Sequence, residues 1–129
     1  MNPLAQHYNQ IAPKRADYIR QNEYYYSLVY EQYRYLIPPG KKVLEVGCGL
    51  GNLLNELKPS VGVGVDISEE MIKVGRSLYP HLEFHVGGVS EFKKDIQFDA
   101  IILSGVLGEV EDIQSTLEQL KPFCTKDTR

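Results

Sequence analysis

The chain has 129 residues, with 17 acidic against 14 basic side chains for a net charge of −3, 43% hydrophobic residues and 24% charged ones. These values fit one globular domain that folds without disulfides or a structural metal, and they exclude disorder and collagen-like structure. With no global positive field no nucleic-acid partner is expected. Cys48 and Cys124 suggest neither a disulfide framework nor a zinc site, and no apolar run reaches the roughly 18 residues of a membrane span, so the expectation is a soluble, cytoplasmic protein without a membrane partner.

In chain order, the first third is rich in tyrosine, and only Tyr79 lies beyond residue 36. Apolar positions from Ile19 through Tyr26, Val29, Tyr30, Tyr33, Leu36 and Ile37 step by three and four, which predicts one side of a helix, with Asn22 a candidate interruption. Pro38-Pro39-Gly40 ends it, because proline lacks the amide donor and biases its predecessor toward extended backbone. The single domain over 1–129 thus divides into a helical cap, 1–40, and an α/β part, 41–129. There, strands are predicted at 43–46, 61–65, 82–86 and 98–103, and helices at 52–57, 69–78 and 111–120, with 90–97 too short for more than a brief helix. Such alternation means parallel strands with helical crossovers. After the last helix too little chain follows for another full strand, so the fourth strand is expected to be an open edge. A truncated chain or a second copy pairing there as a homodimer would account for it.

The strongest local signal is Val43-Leu44-Glu45-Val46-Gly47-Cys48-Gly49-Leu50-Gly51-Asn52, a buried strand running into glycines at the head of a helix. Glycines allow positive φ and close approach of a ligand to the backbone, and the helix start offers unpaired amides. A dinucleotide G-x-G-x-x-G would need glycine where Asn52 stands. Glu45 would repel a pyrophosphate but could hold a cationic amino-acid group; its other reading is a pair with Lys41 or Lys42 at the strand margin. Cys48 reads as a small packing residue. Asp66, at the end of the second strand, is placed to accept both hydroxyls of a ribose, while Asp66 or Ser68 could instead cap the next helix. Gly62 and Gly64 read as close-packing positions, and His81 and His85 as surface or packing histidines.

These segments resemble class I S-adenosylmethionine-dependent methyltransferases. Glu45-x-Gly47-x-Gly49-x-Gly51 is similar to the first motif of that family, Val63-Gly64-Val65-Asp66-Ile67-Ser68 with Met71 to its acidic segment, and Phe98 to Val106 to its fourth strand and exit. The resemblance implies a Rossmann-like α/β three-layer sandwich of strand order 3-2-1-4, without the usual C-terminal strands. It implies S-adenosylmethionine as cofactor, S-adenosylhomocysteine as product, and in-line methyl transfer to a small molecule. By the same resemblance Glu45 serves the methionine end, Gly47, Gly49 and Gly51 the backbone cradle, Asp66 the ribose, and Ile67, Met71 and Val89 the adenine slot. Cys48, Gly88 and Ser104 complete the expected contacts. Tyr8, in His7-Tyr8-Asn9, is similar to a tyrosine that closes over the cofactor, with a surface tyrosine in a mobile terminus the other reading.

Three departures matter. Gly87-Gly88-Val89-Ser90 lacks the acid that usually meets the adenine amine, leaving backbone groups or Ser90. Gly108-Glu109-Val110 stands where many relatives have Glu-His, so no catalytic residue is assigned; Glu109 is the candidate base, with a solvated acid the other reading. The Pro-Pro-aromatic turn of DNA amino-methylating relatives is missing. The Cys-Thr tail loosely resembles domains attached to glycosyltransferases of bacterial surface polysaccharides, which points to a sugar-type acceptor. The alternatives are a non-catalytic cofactor-binding fragment or partner module, and an NAD-dependent oxidoreductase.

Overall fold

The short apolar runs assemble into one parallel sheet of β1 (Lys42–Val46), β2 (Val61–Asp66), β3 (Glu83–Val86) and β4 (Ala100–Leu103). The computed structural model describes residues 2–104 and 113–129. Strand order is β3-β2-β1-β4, the 3-2-1-4 expected from the sequence. β1 lies between two strands and is covered on both faces, which is why Val43 and Leu44 are fully buried. Side chains alternate between the faces. Val43 packs with Leu54, Ile72, Phe84 and Ile102 on one side, while Leu44 and Val46 pack with Val63, Val65, Phe98, Leu120 and Phe123 on the other.

Helices α3 (Asn52–Glu56), α4 (Glu69–Leu78) and α5 (Ile113–Leu120) fall within the predicted ranges. The chain start is helical over a longer stretch than the periodicity predicted. The expected helical cap forms α1 (Pro3–Gln21) and α2 (Glu23–Leu36), separated at the candidate interruption Asn22, and its helix begins well before the predicted periodic stretch from Ile19. Asn2 caps α1 by accepting from the Leu4 amide at 2.8 Å, with Pro3 at the first turn, where its missing donor costs nothing. Asn22 ends it by donating both its backbone amide and its side-chain amide to the Tyr18 carbonyl. Beneath α1, Ala12 packs with Leu50 and Met71, with Tyr8, Ile11 and Ile19 at the margin. The Asn9 Oδ1 accepts from Ser68 Oγ at 2.7 Å and from the Glu70 amide at 3.1 Å, tying α1 to the start of α4.

The predicted open edge is corrected along the start of β4. Phe98 donates its amide to the Phe123 carbonyl at 2.8 Å and bridges Cys124 in parallel. Farther along, the Ile101 amide donates to the Arg129 carbonyl at 2.7 Å, and the Arg129 amide to the Asp99 carbonyl at 3.0 Å. The chain's own tail takes the donors at Phe98 and Ile101 that a second copy would have used.

Candidate functional site

The parallel strands point their carboxyl ends at a cavity of about 640 Å³, roofed by α1 and α2. Tyr8, Glu45, Gly47, Cys48, Gly49, Asp66, Ile67, Met71, Gly88, Val89 and Ser104 all line it; Gly51 does not. Glu109 and the first residues of the predicted last helix lie outside the described residues.

Glycine is required at Gly49 and Gly51 for different reasons. Gly49 has φ +57°, and a Cβ there would meet nothing within 4 Å, so its open side faces the cavity. Gly51 has φ +89°, and a Cβ there would come within 2.7 Å of the Phe84 ring. Glycine there lets α3 seat against β3, and Gly51 stands behind the residues that line the cavity. Cys48 is buried with its Sγ against Gly64, and burial, followed by the nearby Glu45 and Asp66, pushes its thiol well above the ordinary range. That is the packing role read from the sequence. Gly62 likewise leaves room for Leu82 and Pro59.

Glu45 makes no ion pair with Lys41 or Lys42. It is 3% exposed, and its Oε1 is a buried oxygen without a hydrogen-bond partner. Burial, reinforced by Asp66, pushes its carboxyl up to about 8, against the opposing pull of a backbone hydrogen bond from Leu54. An unsatisfied buried carboxyl oxygen is costly, and a cation arriving in the cavity would relieve that cost.

Asp66 is tied into the backbone on both sides and is not itself the helix cap. Its Oδ2 accepts from the Gly49 amide and its Oδ1 from the Ser68 amide, each at 2.8 Å, so it stitches the glycine loop to the end of β2. The helix cap itself is Ser68, whose Oγ accepts from the Met71 amide at 3.1 Å. The carboxylate is half-buried and remains on the cavity wall, where a further hydroxyl could reach it. Asn52, at the position that excludes the dinucleotide motif, donates to the Tyr79 hydroxyl at 2.9 Å.

On the β3 side the wall is made by Gly87, Gly88, Val89 and Ser90. The nearby Glu91 carboxylate is turned back onto the Gly88 amide at 3.1 Å. His81 bonds Asn55 and His85 bonds Glu83, outside the cavity.

Sequence reasoning missed most of the helical wall. Leu4, Ile11, Arg15 and Ile19 of α1 and Tyr26, Val29 and Tyr30 of α2 line the cavity, as do Thr116 and Gln119 of α5. The three- and four-residue steps from Leu4 to Ile19 were the available signal. Burial, with smaller contributions from Glu56 and Tyr79, pushes the phenol of Tyr30, one of these lining residues, up to about 12, so it keeps its proton.

Residues 43–127 match the model of a family described as a methyltransferase domain. Among curated relatives, a putative methyltransferase, 235L, of Invertebrate iridescent virus 6 is 29% identical over 70 residues, 51% of this chain and 26% of that protein. A probable cobalt-precorrin-6B C(15)-methyltransferase (decarboxylating) of Thermoplasma acidophilum is 25% identical over 95 residues, 65% of this chain and 47% of that one. The chain therefore spans from about a quarter to about half the length of the curated relatives it matches. Among solved structures, the DhpI–SAH complex superposes with a TM-score of 0.78 at 22% identity, covering 96% of this chain and 63% of that one.

Proposed function

The chain belongs to the methyltransferase-domain family, and from that premise we propose that it binds S-adenosylmethionine in the cavity at the strand ends and directs methyl transfer to a small-molecule or sugar-type acceptor. The observation that carries this reading is the orphaned Oε1 of Glu45, a buried oxygen that calls for a cationic or donor group. Asp66 stands on the same wall, and the open backbone of Gly49 faces the cavity with it.

These residues fit the cofactor. Glu45 would hold its ammonium group, Asp66 the ribose hydroxyls, and Ile67, Met71 and Val89 the adenine, while Ser90 or loop backbone would meet the adenine amine. When bound, S-adenosylmethionine supplies a methyl group already activated by sulfonium for in-line displacement. The protein's share is to align the acceptor and exclude water, and both are tasks for the helical roof. Tyr8 and Tyr26 would pack over the ligand. Tyr30, holding its proton, would donate a hydrogen bond and would not act as a base. Glu109 remains the proposed base for acceptors that must lose a proton.

Calorimetric titration with S-adenosylhomocysteine and with NAD tests the reading. Micromolar binding of the first with no heat from the second is expected; the reverse pattern would establish a nicotinamide site. Radiolabelled methyl transfer to sugar and small-amine acceptors then separates an enzyme from a cofactor-binding module.

A further inference from the structure

Charge is distributed unevenly around the cavity. Its two carboxylates among the described residues, Glu45 and Asp66, stand at strand ends, and the proposed function uses both. On the helical wall stands Arg15, the only lysine, arginine or histidine among the described residues that line the cavity. It shares the face of α1 that carries Ile11 and Ile19, one turn away on either side.

Arg15 is held in place without being neutralised. Its guanidinium carbon lies 5.2 Å from the centroid of the Tyr18 ring and 6.0 Å from that of Tyr26, and one N–H donates to the Tyr26 hydroxyl at 3.2 Å. Arg20 and Arg34 pair with Asp17 and Glu56, whereas Arg15 has no carboxylate within ion-pair distance among the described residues. A guanidinium offers five N–H donors in a planar fork, and a phenol oxygen uses one of them. Tyrosine faces orient such a fork while leaving its charge available.

We infer that Arg15 is the oxyanion-receiving residue of the cavity, taking a carboxylate or phosphate-type group of a bound ligand through a charge-assisted, two-pronged pair. The inference rests on the proposed function, which makes the cavity a methyl-transfer site. The same chemistry has two sources: the carboxylate at the amino-acid end of the cofactor, or an acid group on the methyl acceptor.

Titration calorimetry of the wild type, Arg15→Gln and Arg15→Lys distinguishes them. The probes are S-adenosylhomocysteine, then 5′-methylthioadenosine, the same nucleoside thioether without the amino acid, and finally methyl phosphate and propionate added to protein saturated with S-adenosylhomocysteine. If the cofactor carboxylate is the partner, Arg15→Gln weakens S-adenosylhomocysteine by about tenfold or more, leaves 5′-methylthioadenosine unchanged, and Arg15→Lys recovers part of the loss. If the acceptor supplies the anion, S-adenosylhomocysteine affinity changes by less than about threefold, and millimolar binding of methyl phosphate or propionate disappears in Arg15→Gln. Absence of both patterns, in variants whose melting matches the wild type, overturns the inference. A folded wild type that binds no S-adenosylhomocysteine overturns the underlying reading instead.

Discussion

The two walls of the cavity are built on opposite principles. The strand-end wall is backbone and short side chains at fixed register: Glu45 sits beside Gly64 and Ile102, and Asp66 ends β2 with both oxygens engaged by loop amides. The helical wall is long side chains on a cap that buries little of itself. No residue of α2 is fully buried, and Tyr24 and Tyr35 are 78% and 88% exposed. On the proposed function, the strand-end wall would set the cofactor's geometry and the helical wall would supply adjustable contacts. A parallel sheet holds its strand ends rigidly, whereas a surface helix is placed only by the contacts beneath it.

Asp66→Ala should break the strand-end wall most severely. It removes the acceptor of two amide hydrogen bonds together with the proposed ribose contact. A loss of about 3 kcal/mol of stability and about a hundredfold in S-adenosylhomocysteine affinity is expected, read by denaturant unfolding and calorimetry. Unchanged affinity would remove that wall from the ligand site.

A paired substitution sharpens the contrast within the glycine loop. Gly51→Ala meets both positive φ and the Phe84 ring, and should cost about 2–3 kcal/mol. Gly49→Ala meets positive φ alone and should cost about 1–2 kcal/mol, yet it should weaken S-adenosylhomocysteine more per unit of lost stability. Equal ratios of binding loss to stability loss would contradict the assignment of one glycine to packing and the other to the cavity.

Glu45→Gln tests the same wall through pH. In the fold the carboxyl is raised from 4.5 to about 8, so between those values the folded chain holds a proton there that the unfolded chain has released. The stability contributed by that proton is complete below 4.5 and is lost as pH rises through about 8. The melting temperature of Glu45→Gln should therefore gain on the wild type as pH rises from about 5 to about 8.5. Binding should show the opposite preference. Wild-type affinity for S-adenosylhomocysteine should climb with pH toward about 8, while the variant binds about tenfold more weakly and loses that slope.

The smallest effect is expected on the helical wall. Asn9→Ala removes the side-chain bonds to Ser68 and the Glu70 amide and should cost about 1 kcal/mol of global stability. Hydrogen exchange should rise in α1 while β1 and β2 stay protected.

What was legible in the sequence follows the same division. Strand positions and the placement of Glu45 and Asp66 could be read because apolar runs, glycines and acids lie within a few residues of one another, whereas strand order came only with the resemblance those segments carry. The separate roles of Gly49 and Gly51 could not, since both need positive φ and only the Phe84 ring, distant in sequence, tells them apart. The extent of α1 back to Pro3 was not read within the helical cap because its apolar stripe is interrupted by Pro13 and polar residues, although Asn2-Pro3 was a usable start signal. Pairing of Arg129 with β4 depends on a tertiary return that no local pattern encodes.

The Asn9 clasp has a kinetic consequence. One amide oxygen receives bonds from both the Ser68 hydroxyl and the Glu70 amide, so any parting of the first helix from the start of α4 has to break the two together, against the packing of Ala12 on Met71. That coupling would slow the opening of this corner relative to a contact made through independent bonds.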